Sequence, residues 1–141
     1  MHTKDKGDWS EAEVIAKLKS IMDCFVFTPF GDNTPYDIVI DINGELLKIQ
    51  VKTARYVNGS IKFETRSANS NMNESWHTTY GGLIDWFAVY SPDMDECYAV
   101  HIDECGSSSK TLRVEEPDVS NPNINWAEDY VLDEDTFEEY L

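Results

Sequence analysis

Four side chains in the first half of the chain could carry out metal-assisted phosphodiester chemistry: Glu11, Asp37, Gln50 and Lys52. Hydrolysing a phosphodiester in this way needs hard oxygen ligands for Mg²⁺, the ion that binds phosphate oxygen and activates water. It also needs a cation where negative charge builds in the transition state. Asp37 offers a carboxylate, Gln50 an amide oxygen, Val51 a backbone carbonyl and Lys52 an ammonium. The same residues suit a solvated sheet face laced with cross-strand charge pairs. Spacing alone weighs the two readings equally.

The element that must position them is YDIVIDINGELLKIQVKTA, residues 36–54. Asn43-Gly44 is the dipeptide of a two-residue type I′ hairpin, in which both positions need φ > 0. With that loop, Val39 faces Lys48 and Asp37 faces Gln50. Alternation then gives two faces. Ile38, Ile40, Ile42, Leu47, Ile49 and Val51 form a core face, while Asp37, Asp41, Lys48, Gln50 and Lys52 lie on the other with Val39 and Leu46.

Glu11 comes from a helix predicted over residues 8–22, where Val14, Ile15, Leu18, Ile21 and Met22 make an apolar stripe. Glu11 falls in the middle of that stripe. Two readings stand: a capping box with Asp8 as N-cap, or a carboxylate aimed inward toward the sheet. Strands are further predicted at 24–28, 61–65, 85–90, 97–102 and 111–114, with turns at 29–35 and 56–60. Residues 67–80 read as a mobile polar loop and 126–141 as an acidic surface helix. Cys97, His101 and Cys105 recur every four residues, but on a strand neighbours stand about 13 Å apart, too far to share a zinc ion.

Length and composition fit one globular domain of 141 residues. No apolar run approaches the roughly 20 residues of a membrane span. Three cysteines and a polar N-terminus without a signal-peptide pattern point to a reduced, cytoplasmic setting. A net charge of −16 argues against nucleic acid until its distribution is seen. Residues 1–66 hold nine of the eleven Lys/Arg and ten of the 27 acids, and the second half holds the rest. Lys48, Lys52, Arg55, Lys62 and Arg66 concentrate in the hairpin and the strand after it. The purpose of the acidic half stays open.

Lys6-Gly7-x-x-x-Glu11, Pro29-x-Gly31-Asp32-Asn33-x-Pro35-Tyr36-Asp37 and Gln50-Val51-Lys52-Thr53-Ala54 together resemble the PD-(D/E)XK nuclease superfamily. The nearest branch by resemblance is the group I intron homing endonucleases with a Q-x-K motif, and archaeal Holliday junction resolvases are similar more loosely. The likeness extends through Thr65-Arg66-Ser67 and residues 84–90. It implies an α/β, restriction-endonuclease-like fold, a mixed central sheet flanked by helices. Residues 1–114 would be the nuclease core and 115–141 an acidic extension packed on or beside it. It also implies Mg²⁺, with Mn²⁺ able to substitute, held by Asp37, Gln50, the Val51 carbonyl and Glu11. Lys52 matches the catalytic lysine, and Tyr36 stands where the motif has Pro. The implied partner is DNA, contacted by Lys6, Lys48, Arg55, Lys62, Arg66 and Ser67, and cut by a dimer or tetramer. Junction resolution, or DNA binding without cleavage, are the alternatives.

Overall fold

The structure is a computed structural model that describes residues 2–66, 82–119 and 121–141. The loop expected at 67–80, and Ser67 with it, lies outside the described residues. One α-helix, α1 (Thr3–Ile21), precedes eight strands: β1 (Phe25–Phe27), β2 (Ile38–Ile42), β3 (Glu45–Thr53), β4 (Arg55–Val57), β5 (Ser60–Glu64), β6 (Trp86–Ser91), β7 (Glu96–His101) and β8 (Ser109–Arg113). They make a five-stranded mixed sheet, β1-β2-β3-β6-β7, and a three-stranded antiparallel sheet, β4-β5-β8. Among the described strands, β3 and β6 pair in parallel. No helix among the described residues is long and apolar enough to cross a membrane.

The β2–β3 hairpin forms in the expected register, with Ile42 opposite Glu45 and Val39 opposite Lys48. Asn43 and Gly44 adopt φ of 52° and 89° at its turn. All six residues of the expected core face are buried. Against them packs α1, through Val14 and Leu18 and the half-buried Ile15, Ile21 and Met22. Ser10, one turn before Val14, is buried as well, and its hydroxyl lies 2.5 Å from Thr53 Oγ1, tying the helix to the end of β3.

Helix α1 starts at Thr3 with His2 as N-cap, five residues before the expected start. Asp8 is therefore no cap, and Glu11 sits in mid-helix. The capping-box reading of Glu11 is overturned, because both residues lie past the first turn, where the orphan backbone donors are. A second correction concerns 56–60. Asn58 and Gly59 have φ of 49° and 80°, so this is a second two-residue Asn-Gly hairpin, with β4 on its near side.

The third correction is the C-terminus. In place of a surface helix over 126–141 there are two short 3₁₀ turns, Ala127–Tyr130 and Glu138–Tyr140. A helix would set Asp129 against Asp133 and Glu134 against Glu138, like charges one turn apart that repel. Instead Val131 bridges to Tyr98, and the Leu132 N–H donates to the Cys97 carbonyl at 2.9 Å. Leu132 and Phe137 are buried in the same core that α1 covers. The expected mixed central sheet is formed: among the described residues, one of its faces carries α1 and the other the small sheet.

That second face is covered unevenly. A core of Ile61, Phe63, Leu112, Phe87, Val89 and Val100 joins the small sheet to the β6–β7 half. The β1–β2–β3 half contributes no strand residue to this core, and there Val39, Lys48, Gln50 and Lys52 are only half-buried. An open polar face beside a closed apolar one is the setting of the candidate site.

Candidate active site

Asp37 stands where β2 stops and β3 continues. Its N–H donates to the Ile49 carbonyl at 2.9 Å, although Ile49 is already the partner of Ile38. Two consecutive residues thus address one, the geometry of a bulge, and bulges re-aim side chains. The expected Asp37–Gln50 pairing is therefore not formed. The carboxylate reaches into the ladder instead, and Asp37 Oδ2 accepts the Val51 N–H at 2.8 Å. Among the described residues, Oδ1 takes no hydrogen bond.

This fixes where the neighbouring oxygen lies. In a strand, a residue's N–H and C=O address the same neighbour. Ile49 and Val51 both turn their backbone toward Asp37, so the Val51 carbonyl lies on that edge too. A carboxylate oxygen and a neutral carbonyl at one strand edge form a donor pair of the hard, oxygen-only kind that Mg²⁺ takes.

Lys52 acts electrostatically on Asp37, and Asp37 acts in turn on Glu11. Burial pushes the Asp37 carboxyl up, while the Val51 hydrogen bond and the Lys52 charge pull it down. Glu11 is also raised, first by burial, then by the charges of Asp37 and Asp8. Lys52 is lowered by burial, against the attraction of Asp37 and Glu64. Lys52 Nζ also donates to the Arg66 carbonyl at 3.4 Å. Two partly desolvated acids, with the charge of Asp37 disfavouring that of Glu11, are the arrangement a divalent cation relieves. Among the described residues there is no group of three or more His, Cys, Asp or Glu that could hold a metal. A donor set drawn from these residues would be two acids completed by neutral oxygens.

The remaining expected residues divide. Gln50 lies on β3 between Asp37's two backbone partners, half-buried, on the face that carries Lys52. Lys48 shares that face. Arg55 and Lys62 are cross-strand partners in the small sheet, and Arg55 Nη1 pairs with Glu64 at 3.4 Å. Arg66 is exposed just beyond β5, and Lys6 is exposed on α1. Cys97, His101 and Cys105 do not converge: Cys97 is buried, His101 stacks edge-on against Trp86, and Cys105 Sγ donates to the His101 carbonyl at 3.6 Å.

Two residues of the site's frame were missed from sequence. Ser10 carries no signal beyond its position one turn before Val14. Asp85 Oδ2 accepts the Lys48 N–H at 2.8 Å on the opposite edge of β3. It could be found only once β6 is known to run parallel to β3. Two cavities lie elsewhere: one of about 430 Å³ is lined by Trp86 and Tyr130, among others, and one of about 470 Å³ by Lys19 and Cys24, among others. An open face, not a cavity, is what a duplex backbone can reach.

A family model described as PD-(D/E)XK endonuclease matches residues 1–133. Among solved structures, a bacterial homing endonuclease, I-Ssp6803I, is similar with a TM-score of 0.66 and 25% sequence identity, over 92% of this chain and 86% of that one. No curated protein sequence matches.

Proposed function

The chain belongs to the PD-(D/E)XK endonuclease family, and from that premise we propose that it is a Mg²⁺-dependent DNA endonuclease with its reaction centre at the Asp37 edge of β3. The observation that carries this is Asp37 itself. It is seated on the Val51 N–H at 2.8 Å, beside the Val51 carbonyl, and coupled to both Glu11 and Lys52.

Asp37 and the Val51 carbonyl would hold the ion, with Gln50 supplying an amide oxygen and Glu11 a second charge. A neutral Gln50 in place of a third acid leaves the site less negative, so an approaching phosphate meets less repulsion. When bound, the ion supplies Lewis acidity toward phosphate oxygen and water. Lys52, kept partly out of water, presents its ammonium to the charge that grows on the phosphate oxygens, where it stabilises the transition state more than the ground state. Glu11, with its raised pKa, is suited to take the proton from the attacking water. Lys48, Arg55, Lys62 and Arg66 then contact neighbouring phosphates, and Lys6 does so from α1. Cutting both strands takes two such centres, so double-strand cleavage of the homing or restriction type implies paired copies of the chain. Mn²⁺, similar in its preference for oxygen ligands, is expected to substitute.

The test is cleavage of supercoiled plasmid and of a four-way junction with Mg²⁺, with EDTA, and with Mn²⁺. Metal-dependent cutting by the wild type that disappears in Lys52→Ala, with the fold retained, supports the reading. Cutting of the junction alone would make the protein a resolvase. Activity unchanged in both Asp37→Ala and Lys52→Ala would overturn the site.

A further inference from the structure

The open face that carries Lys48, Gln50 and Lys52 has an apolar border that catalysis does not use. On β1, Phe25 lies opposite Asp41 and Phe27 opposite Val39, so both rings point to the same side as Lys48. They are 69% and 53% exposed, and Phe30, in the loop that runs from β1 to Asp37, is wholly exposed. Gly31, at φ 94°, follows it and turns the chain at the loop tip.

We propose that Phe27 and Phe30 are a wedge that inserts against the bases of the DNA duplex beside the cut site. This rests on the endonuclease reading above. Phe27 stands two strand spacings, about 10 Å, from Lys48, and one side-chain repeat, about 7 Å, short of the Gln50 row. The combined offset of about 12 Å from Gln50 equals three to four base steps at about 3.4 Å each. A phosphate held in the Gln50 row, between Asp37 and Lys52, thus sets the neighbouring steps of the duplex over Phe27, with the exposed Phe30 in the loop that follows it.

Apolar side chains placed there unstack a base step and kink the duplex, exposing more backbone to the protein's cations. Aromatic rings also stack on bases whatever their sequence. Continuity with the phosphate-binding face favours DNA as the occupant. A second copy of this chain, pairing edge to edge, would have only the three residues of β1 for its ladder, the short edge that discourages such pairing. Asp41, opposite Phe25, has its Oδ1 occupied by the Gly44 N–H at 2.8 Å and lies toward the turn, away from Phe27, while Asp23 before β1 and Asp32 after Gly31 are the other acids near this border.

The test uses the full chain and a duplex carrying the cleavage site mapped on plasmid DNA, with 2-aminopurine placed in turn at each flanking position. Ca²⁺ replaces Mg²⁺ to hold the complex uncut. A rise in 2-aminopurine fluorescence is expected at a step three to four base pairs from the scissile phosphate. Phe27→Ala and Phe30→Ala should remove the rise and weaken duplex affinity about tenfold, as loss of a base–aromatic contact does. Phe27→Trp should restore both. Wild-type binding without a rise at any position overturns the wedge and leaves the nuclease reading standing. Failure of the wild type to bind DNA overturns both. Variants that sediment as a smaller assembly than the wild type, with DNA affinity unchanged, would show that the rings seat a second copy instead, and the wedge falls.

Discussion

Two aspartates do the same backbone work on opposite edges of one strand. Asp37 Oδ2 accepts the Val51 N–H and Asp85 Oδ2 accepts the Lys48 N–H, each at 2.8 Å. Each stands where the neighbouring strand runs out and an amide of β3 would otherwise lack a partner. Their surroundings differ. Asp37 has Glu11 and Lys52 within electrostatic reach. Asp85 is built into backbone, its N–H bonded to the Lys48 carbonyl at 2.8 Å and its carbonyl to the Ile102 N–H at 3.1 Å. Beside it is Tyr140, a hydroxyl whose pKa is raised chiefly by burial and in smaller part by Asp85. A carboxylate on a strand-edge amide is thus a structural device. It becomes a candidate reaction centre only when a second acid and a cation are brought to it.

The largest effect should separate the pair by activity. Asp37→Ala is expected to abolish plasmid cleavage, and Lys52→Ala to slow it about 10²–10³-fold, the loss typical of one preorganised charge partner. Asp85→Ala should keep wild-type cleavage at temperatures where it is folded. A loss in Asp85→Ala equal to that in Asp37→Ala would erase the distinction.

Metal binding should separate them next. At a hundredfold excess over Kd, Mg²⁺ is expected to add about 2.7 kcal/mol to the stability of the wild type and of Asp85→Asn. Thermal scans of Asp37→Asn should show almost none of that gain. A full gain in Asp37→Asn would place the ion elsewhere.

Stability without metal is expected to reverse the ranking. Asp85→Ala leaves the Lys48 N–H with no partner, which should cost about 1–3 kcal/mol in urea unfolding. Asp37→Asn keeps an oxygen on the Val51 N–H and removes a desolvated charge, so it should unfold no earlier than the wild type.

The smallest effect concerns pH. Burial raises both Asp37 and Glu11 in the folded state. The native protein therefore holds those protons longer than the unfolded chain does. Metal-free stability should fall as pH climbs from the ordinary carboxylate range through the folded values, and stay lowered above them. Asp37→Asn should flatten that fall in a urea series across acidic pH. An unchanged slope would mean that Asp37 ionises freely, as an ordinary surface carboxylate does.

Much of the frame was readable because its rules are local. The Asn43-Gly44 turn fixed the β2–β3 register, and alternation from that turn assigned all six core residues correctly. The same dipeptide at Asn58-Gly59 marks the second hairpin, and reading it as a plain turn hid β4. The helical stripe around Leu18 was legible, but not its start at Thr3. Five residues without an apolar stripe, Thr3 to Gly7, capped by His2, leave nothing for a pattern to register. The acidic C-terminus misled because its spacing mimics a weak helix, while its like charges and its bridge to Tyr98 favour an extended path.

For the candidate site, sequence supplied the candidate donors. Residue types and their spacing named Glu11, Asp37, Gln50, Val51 and Lys52, since hard-cation and phosphate chemistry accepts few side chains. Only the tertiary structure decided how they meet. The bulge at Asp37 turned its carboxylate from Gln50 onto the Val51 amide, and packing of Ser10 on Thr53 brought Glu11 within reach of Asp37's charge. Parallel pairing with β6 set Asp85 on the other edge of β3. Those placements depend on which strands lie side by side across tens of residues, and on the small sheet packing over only the β6–β7 half among the described residues. Neither leaves a trace in local spacing.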